Sequence, residues 1–263
     1  IEGYMPFLKE YHFTIDTQNT FPHSSGIASS ASGMAALAMN VMSLEKQINP
    51  SLTEDLFHKK ASFLARLGSG SACRSIKGQV VAWGKNETIL ESSDLFGVEF
   101  NDIHQNFKNY QDTILLVDKG EKQVSSTVGH NLMFDHPFAG KRFEQAHDNL
   151  AKIAKILSEG NVEEFIKIVE SEALTLHAMM MTSMPYFILM KPNTLEIINR
   201  IWKFRNENNI PVCFTLDAGA NVHVLYPENV SVKVLQFIQD ELVVFCQNGQ
   251  YICDQIGNGA ESK

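Results

Sequence analysis

The sequence is short of positive charge. Its 22 Lys and Arg stand against 30 Asp and Glu, for a formal net charge of −8 and a pI near 5.6. That sign excludes a general nucleic-acid binder, which needs a basic face. Any phosphorylated ligand must therefore be held by a local positive site. Apolar runs are short too, and none approaches the roughly 18 residues that cross a bilayer, so no membrane association is expected. No signal peptide is expected either. Cysteine is sparse: Cys73, Cys213, Cys246 and Cys253 are scattered without C-x-x-C spacing, which argues against a zinc site or redox pair. At 263 residues the chain buries enough core to fold without disulfides, and reduced thiols in a cytoplasmic enzyme are the simpler expectation. Internal repeats and linker-joined domains are absent from the pattern.

What is present is an unusual concentration of small residues between Asn19 and Gly33, Asn-Thr-Phe-Pro-His-Ser-Ser-Gly-Ile-Ala-Ser-Ser-Ala-Ser-Gly. It runs into Met34 to Met42, rich in the helix formers Ala, Met and Leu. Before it, Tyr11 to Thr17 alternates, with Phe13, Ile15 and Thr17 on one side, and predicts a half-buried strand. The order strand, small-residue loop, helix has a chemical use. The first N–H groups of a helix lack intrahelical partners and carry the positive end of its dipole. Small residues let phosphate oxygens approach the main chain, and Ser24, Ser25, Ser29 and Ser30 add hydroxyl donors. The alternative is a Ser/Ala-rich helix start chosen for close packing. The loop is not a Walker A motif, having no Gly-Lys-Ser/Thr ending, and Gly26 and Gly33 do not form a G-x-G-x-x-G fingerprint.

Two further stretches carry candidate chemistry. From Arg66 to Gly78 the chain reads Arg-Leu-Gly-Ser-Gly-Ser-Ala-Cys-Arg-Ser-Ile-Lys-Gly. Gly68, Ser69, Gly70 and Ser71 form a second loop of small and hydroxylated residues, and Arg74 offers a planar fork to a carboxylate or phosphate. The competing reading pairs Arg74 with a neighbouring acid and makes the loop a helix C-cap. Farther on, Pro211 to Leu225 reads as a hairpin, with a strand over 212–216, Asp-Ala-Gly-Ala at the tip and alternation resuming from Asn221. On its own, an Asp at a strand end is a turn former.

The spacing Pro22-x-x-x-Gly26-Ile27-x-Ser29-Ser30 resembles the phosphate loop of the GHMP kinase superfamily. Together with Gly-Ser-Gly-Ser-Ala-Cys-Arg-Ser at 68–75 and Thr-x-Asp-Ala-Gly-x-Asn at 215–221, it resembles diphosphomevalonate decarboxylase over about residues 10–247. The resemblance implies an α+β chain of the GHMP kinase fold, with a ribosomal protein S5 domain 2-like N-terminal part (1–135) and a ferredoxin-like C-terminal α/β sandwich (136–263). It implies a carboxy-lyase that uses ATP and Mg²⁺ to phosphorylate the 3-hydroxyl of mevalonate 5-diphosphate, then releases phosphate and CO₂ to give isopentenyl diphosphate. By the same resemblance, Ser24, Ser25, Gly26, Ala28, Ser29 and Ser30 belong to the ATP loop. Ser69, Gly70 and Ser71 fall at the substrate diphosphate, Arg74 at its carboxylate, and Asp217 is the acid/base residue facing the tertiary hydroxyl. Val-Ser-Ser-Thr at 124–127 resembles the segment that closes on the diphosphate and adds Ser125 and Ser126.

No protein metal ligands are implied, since His130 and His136 lack a third partner. A homodimer is common in the family. Departures are Gly129-His130 in place of Gly-Met, His23-Ser24-Ser25 in place of Thr-Ala-Ala, and only 18 residues ahead of Asn19, where the family has a long substrate-contacting region. A related enzyme acting on mevalonate or its monophosphate, or an inactive homologue, are the alternatives.

For the remaining elements the pattern predicts a helix capped by Thr53, with Leu56, Phe57, Phe63, Leu64 and Leu67 inward. A short strand is predicted over 79–83, a polar connection over 84–112, and a buried central strand over 113–117. Helices follow over 138–157, 161–182 and 193–208, the last capped at Asn193 or Thr194, and a final helix or strand pair includes Val243 to Phe245. The Met-rich end of the second, with His177, reads as core filling, while the resemblance implies that this helix end borders the active cleft, with no role assigned to His177.

Overall fold

The computed structural model describes residues 1–22, 26–120, 129 and 131–261. They fall into two compact units. One comprises Ile1–His23, Ala28–Asn101 and Gly257–Lys263, and the other Ser24–Ile27 with Asp102–Ile256. The division lies at 101/102 and not at 135/136, because the strand over 111–115 is hydrogen-bonded between two strands of the later sequence.

The first unit is built on α1 (Ser29–Ile48) and α2 (Glu54–Gly68). Ala31, Ala35, Ala38 and Met42 make a narrow buried stripe on α1, and Phe57, Ala61, Leu64 and Ala65 of α2 share its core. Thr53 caps α2 by accepting the Leu56 N–H at 3.3 Å, and Glu54 and Asp55 complement the dipole in its first turn. Leu56 and Leu67, expected inward, are 52% and 42% exposed. Ala61 and Ala65 take the inner stripe instead, alongside Phe57 and Leu64. The 79–83 strand shortens to β1 (Val81–Ala82), paired with β2 (Val98–Glu99).

The predicted strand at 11–17 does not form. This stretch is without regular structure, and Tyr11, Phe13 and Ile15 are 44%, 51% and 62% exposed. Alternation marks one face for burial, but a strand needs a hydrogen-bonded neighbour, and no described strand pairs with it.

The second unit is an antiparallel sheet in the order β4-β5-β3-β6, formed by β3 (Gln111–Leu115), β4 (Cys213–Thr215), β5 (Val222–Tyr226) and β6 (Tyr251–Gln255). β3 is central, as its apolar run predicts. The helices are α3 (Ala139–Glu159), α4 (Val162–Met181), α5 (Pro192–Asn208) and α6 (Ser231–Phe237). Asn161 caps α4 by accepting the Glu164 N–H. α5 starts one or two residues before the expected cap, at Pro192, with Thr194 inside its first turn. Val243 to Phe245 form a 3₁₀ turn and not a strand, while β6 supplies the pairing. Alternate residues Val222, Val224 and Tyr226 join Leu115, Phe214, Ile197, Ile201 and Phe237 in one core. At its margin Glu170 of α4, only 7% exposed, accepts from Trp202 Nε1 at 2.9 Å and Arg205 Nη1 at 2.6 Å. Arg205 also donates to the Val212 carbonyl at 2.9 Å.

This ion pair joins α4, α5 and the entry to β4. Removing only its cation strands a carboxylate in the core. Arg205→Met is expected to lower unfolding free energy by about 2–3 kcal/mol, read by urea denaturation. A change below about 0.5 kcal/mol, typical of a surface site, would show that Glu170 finds water when Arg205 is gone.

Candidate active site

In the first unit, α2 ends on Gly68 with Ser69 as its C-cap, whose N–H reaches the Ala65 carbonyl at 3.0 Å. The chain then tightens into a 3₁₀ turn, Gly70–Ser75. The glycines here serve packing. A Cβ on Gly68 would lie 2.3 Å from Met34 Sδ, and one on Gly70 would lie 2.8 Å from the Trp83 indole. The turn is fixed from beneath. The buried Ser62 hydroxyl donates to the Cys73 carbonyl at 2.8 Å and accepts the Gly97 N–H at 2.8 Å, while Ala72, Cys73 and Ile76 are buried. Arg74 projects outward from this base, exposed, with no ion pair to any described acid. It lines a cavity of about 1050 Å³ with Ser75, Gln79, Ser32 and Asn40. Ser69 is therefore both a C-cap and a loop residue, and the acid-paired alternative for Arg74 is not observed. Ser30 Oγ and Ser69 Oγ lie 3.4 Å apart, which brings the first and second small-residue motifs together.

The N-cap residue of α1, Ala28, makes no side-chain cap bond and sits at φ +58°. An alanine in the left-handed region costs about 1 kcal/mol, and such strain gathers at functional sites. Ser29 is half-buried and Ser30 exposed at the start of the helix. Ser24, Ser25, Ser125 and Ser126 lie outside the described residues, as does His130. His136 is already occupied: Nδ1 accepts the Phe138 N–H at 3.1 Å, leaving Nε2–H to donate to Thr182 Oγ1 at 3.1 Å.

In the second unit Asp217 is exposed at the tip of the β4–β5 hairpin, and three elements hold the tip. His177 of α4, 1% exposed, donates Nε2–H to the Asp217 carbonyl at 3.1 Å. Thr194 of α5 donates its hydroxyl to the Ala220 carbonyl at 2.7 Å. Asn221 Oδ1 accepts the Asp118 N–H, beyond β3, at 3.0 Å. The Asp217 backbone is thus fixed while its carboxylate pairs with no described cation. Gly26 packs against it: buried, at φ +82°, it leaves 3.9 Å between a Cβ built on it and Asp217 Cβ. Beside the tip His223 of β5 directs Nδ1 to both oxygens of Asp112, at 2.9 and 3.1 Å.

Sequence reasoning missed these supports. Asn221 closed the third motif and His223 stood two residues beyond it, so proximity to Asp217 was the available signal. His177 carried no assigned role, its helix end being placed at the active cleft by the resemblance alone. The two histidines are driven in opposite directions. Burial pushes His177 below its usual range, against the smaller pull of the Asp217 carbonyl and charge. Burial also acts downward on His223, but the Asp112 carboxylate, the Gly26 backbone and Asp217 together outweigh it and raise the pKa.

Comparison with known proteins agrees with this architecture. Residues 3–95 match the diphosphomevalonate decarboxylase-like N-terminal domain, and residues 113–260 the mevalonate 5-diphosphate decarboxylase C-terminal domain. Diphosphomevalonate decarboxylase of Candida albicans is 28% identical over 89% of this chain and 62% of its own length, and that of Saccharomyces cerevisiae 31% over 89% and 58%. Phosphomevalonate decarboxylase of Haloferax volcanii is 25% identical over 88% and 67%. Among solved structures, MDDEF in complex with MVAPP, AMPPCP and magnesium superposes with a TM-score of 0.74 at 29% identity, covering 92% of this chain and 69% of that one. Mevalonate diphosphate decarboxylase from Legionella pneumophila gives 0.72 at 30%, covering 89% and 69%. The chain spans about three fifths of the length of the first two relatives.

The fold is that of the GHMP kinase class. Within it, the chain belongs to the mevalonate 5-diphosphate decarboxylase family.

Because the His177 pKa is depressed, the unfolded chain takes up a proton near pH 6.5 that the folded one refuses until lower pH. Stability from this group is whole above pH 6.5 and lost as pH falls through the folded value. Thermal unfolding of His177→Gln is expected to show a shallower decline on the acid side of pH 6.5 than the parent. Parallel curves would show that His177 is solvated enough to titrate normally.

Proposed function

We propose that the protein catalyses ATP-dependent decarboxylation of mevalonate 5-diphosphate to isopentenyl diphosphate, with release of ADP, phosphate and CO₂. Family membership supports the reaction class. The observation that carries the reading is Asp217, an exposed carboxylate on a backbone held from three elements, with the glycine of the small-residue loop packed on it.

The residues present fit a nucleotide. The start of α1 is entered through the left-handed residues Gly26 and Ala28, and a helix start presents N–H groups and the positive dipole end to phosphates. Gly26, Ala28, Ser29 and Ser30 would hold it, with Ser24 and Ser25 as further donors of the same loop. No group of three or more candidate metal ligands occurs among the described residues, so Mg²⁺ would arrive on the nucleotide phosphates. When bound, ATP supplies the phosphoryl group and Mg²⁺ its countercharge.

The protein's part is to position and to move one proton. Ser69, Gly70 and Ser71, with Ser125 and Ser126, would anchor the substrate diphosphate. Arg74, free of a competing acid, would hold the carboxylate until the C–C bond breaks. Asp217 would take the proton of the 3-hydroxyl as that oxygen is phosphorylated. The four free thiols, three of them buried, suit a cytoplasmic enzyme, and a homodimer is the assembly we favour from the family.

The Haloferax relative supports a second reading, in which the monophosphate is the substrate. The test is ATP-dependent CO₂ release from carboxyl-labelled mevalonate 5-diphosphate and 5-phosphate in parallel. Equal CO₂ and ADP from the diphosphate are expected. Preference for the monophosphate would select the second reading, and ADP without CO₂ would leave only a kinase. Asp217→Asn should lower kcat about 10³-fold with substrate binding near normal. Arg74→Ala should lower decarboxylation at least about 10²-fold. Unchanged kinetics in either variant would remove that residue from the mechanism.

A further inference from the structure

The Asp-Ala-Gly-Ala tip, 217–220, is gripped at both of its end carbonyls. The Asp217 carbonyl accepts the Gly219 N–H at 2.7 Å and the His177 Nε2–H at 3.1 Å. The Ala220 carbonyl accepts the Thr194 hydroxyl at 2.7 Å. Thr194 has a second duty. As the third residue of α5 it accepts the Lys191 backbone N–H at 3.1 Å, the role a glutamate or glutamine side chain usually fills at that position of a capping box. One hydroxyl therefore closes the start of α5 and holds the end of the tip.

A hydroxyl carries one hydrogen and two lone pairs. The Lys191 N–H occupies a lone pair and the Ala220 carbonyl can only accept, so the hydrogen has one direction to point. Thr194 is 0% exposed, which leaves no water to replace it. A further path runs round the same end of the tip. Asn221 Oδ1 accepts the Asp118 N–H at 3.0 Å, and Asp118 Oδ2 lies 3.8 Å from Lys191 Nζ. That ion pair is 45% and 42% exposed and worth little in water. The Asn221 bond acts through a side chain with torsions of its own. The firm hold on the tip backbone at this end is thus the Thr194 hydroxyl.

We infer that Thr194 is a positioning residue for Asp217: its hydroxyl fixes the far end of the hairpin tip and so keeps the Asp217 carboxylate where a substrate hydroxyl can reach it. The inference rests on Asp217 acting as the proton acceptor. Without this donor the tip backbone keeps its grip at Asp217 and loses it at Ala220. The Lys191 N–H and the Ala220 carbonyl are then buried without the partner they shared, and relieving them pivots the tip about its His177 end. A shift of about 1 Å in a reacting group costs about 10²-fold in rate. Ground-state binding does not depend on the tip in the same way, because the substrate's diphosphate and carboxylate are assigned to Ser69, Ser71 and Arg74. Thr194 should therefore act on kcat and leave KM alone.

The experiment measures kcat and KM for ATP-dependent CO₂ release from mevalonate 5-diphosphate on the full chain, with melting temperature alongside. Thr194→Val keeps the shape and removes the hydroxyl, whereas Thr194→Ser keeps the hydroxyl and removes the methyl. Valine is expected to lower kcat about 10²-fold with KM within about twofold of the parent. Serine is expected to stay within about threefold of the parent in both. Thr194→Val is then combined with Asp217→Asn. A residue that acts through Asp217 adds less than about threefold to the loss that Asp217→Asn already causes. Should valine prevent folding, Thr194→Cys takes its place as a weaker donor, with about a tenfold loss of kcat expected.

A fall in melting temperature with parental kcat would make Thr194 a structural residue only and overturn the inference. So would a raised KM at unchanged kcat, a serine variant as slow as valine, losses that multiply in the double variant, or parental kcat in the cysteine variant. Parental kcat in Thr194→Val beside an inactive Asp217→Asn overturns the inference alone. Parental kcat in Asp217→Asn itself overturns the proton-acceptor reading, and the inference with it.

Discussion

The hairpin tip between β4 and β5 is where the second unit's architecture and its chemistry meet, and its conformation depends on three hydrogen bonds from three elements. A six-residue connection such as Leu216–Asn221 has more backbone polar groups than its own turn can satisfy. Gly219 N–H closes on the Asp217 carbonyl at 2.7 Å. Two of its carbonyls are met from outside, by His177 and Thr194, and the Asn221 side chain anchors the end of the tip by accepting the Asp118 N–H. Each of these is at least 96% buried, so each bond is made where water cannot substitute, and its loss would leave an unsatisfied buried group. The tip is therefore over-determined at its backbone and free at one carboxylate. That combination suits a base which has to wait for a substrate hydroxyl without reorganising.

The first unit solves the same problem by different means. Arg74 is held outward because the turn beneath it cannot move. Ser62 ties Cys73 to Gly97, and Gly97 itself approaches the Cys73 carbonyl so closely that a Cβ there would stand 2.7 Å away. Gly68 and Gly70 are close-packed against Met34 and Trp83. Small residues that look like a ligand cradle in the sequence are here the means by which two helices and an indole come near enough to fix a guanidinium. Ser69, Ser71 and Arg74 are left at least partly accessible by this packing.

This explains what was legible. Long helices with a clear 3.6-residue pattern, the cap at Thr53 and the central apolar strand were readable because local sequence and tertiary context ask for the same thing. The stretch at 11–17 was not, since its alternation is a statement about a partner strand that the described residues do not supply. Leu56 and Leu67 were misread because periodicity names a face but not its width, and the buried stripe of α2 is filled by Phe57, Ala61, Leu64 and Ala65. Asp217, Arg74 and the small-residue loop were reached through motif resemblance. Their supports at His177 and Thr194 were not, because a residue that donates to a distant backbone carbonyl leaves no local pattern.

The two histidines near Asp217 show how one side chain is given two characters by its acceptors. His177 meets a single carbonyl deep in the core, which the neutral ring can satisfy, so burial prevails and the charge is excluded. His223 meets the Asp112 carboxylate, and that pairing outweighs burial and favours the charged ring. A buried neutral donor fixes geometry independently of pH over the neutral range. A paired cation fixes it conditionally and adds a charge. The tip that carries Asp217 rests on the first kind, and the pairing of Asp112 on β3 with His223 on β5 is of the second. The backbone beneath the Asp217 carboxylate is thus held by the pH-insensitive support.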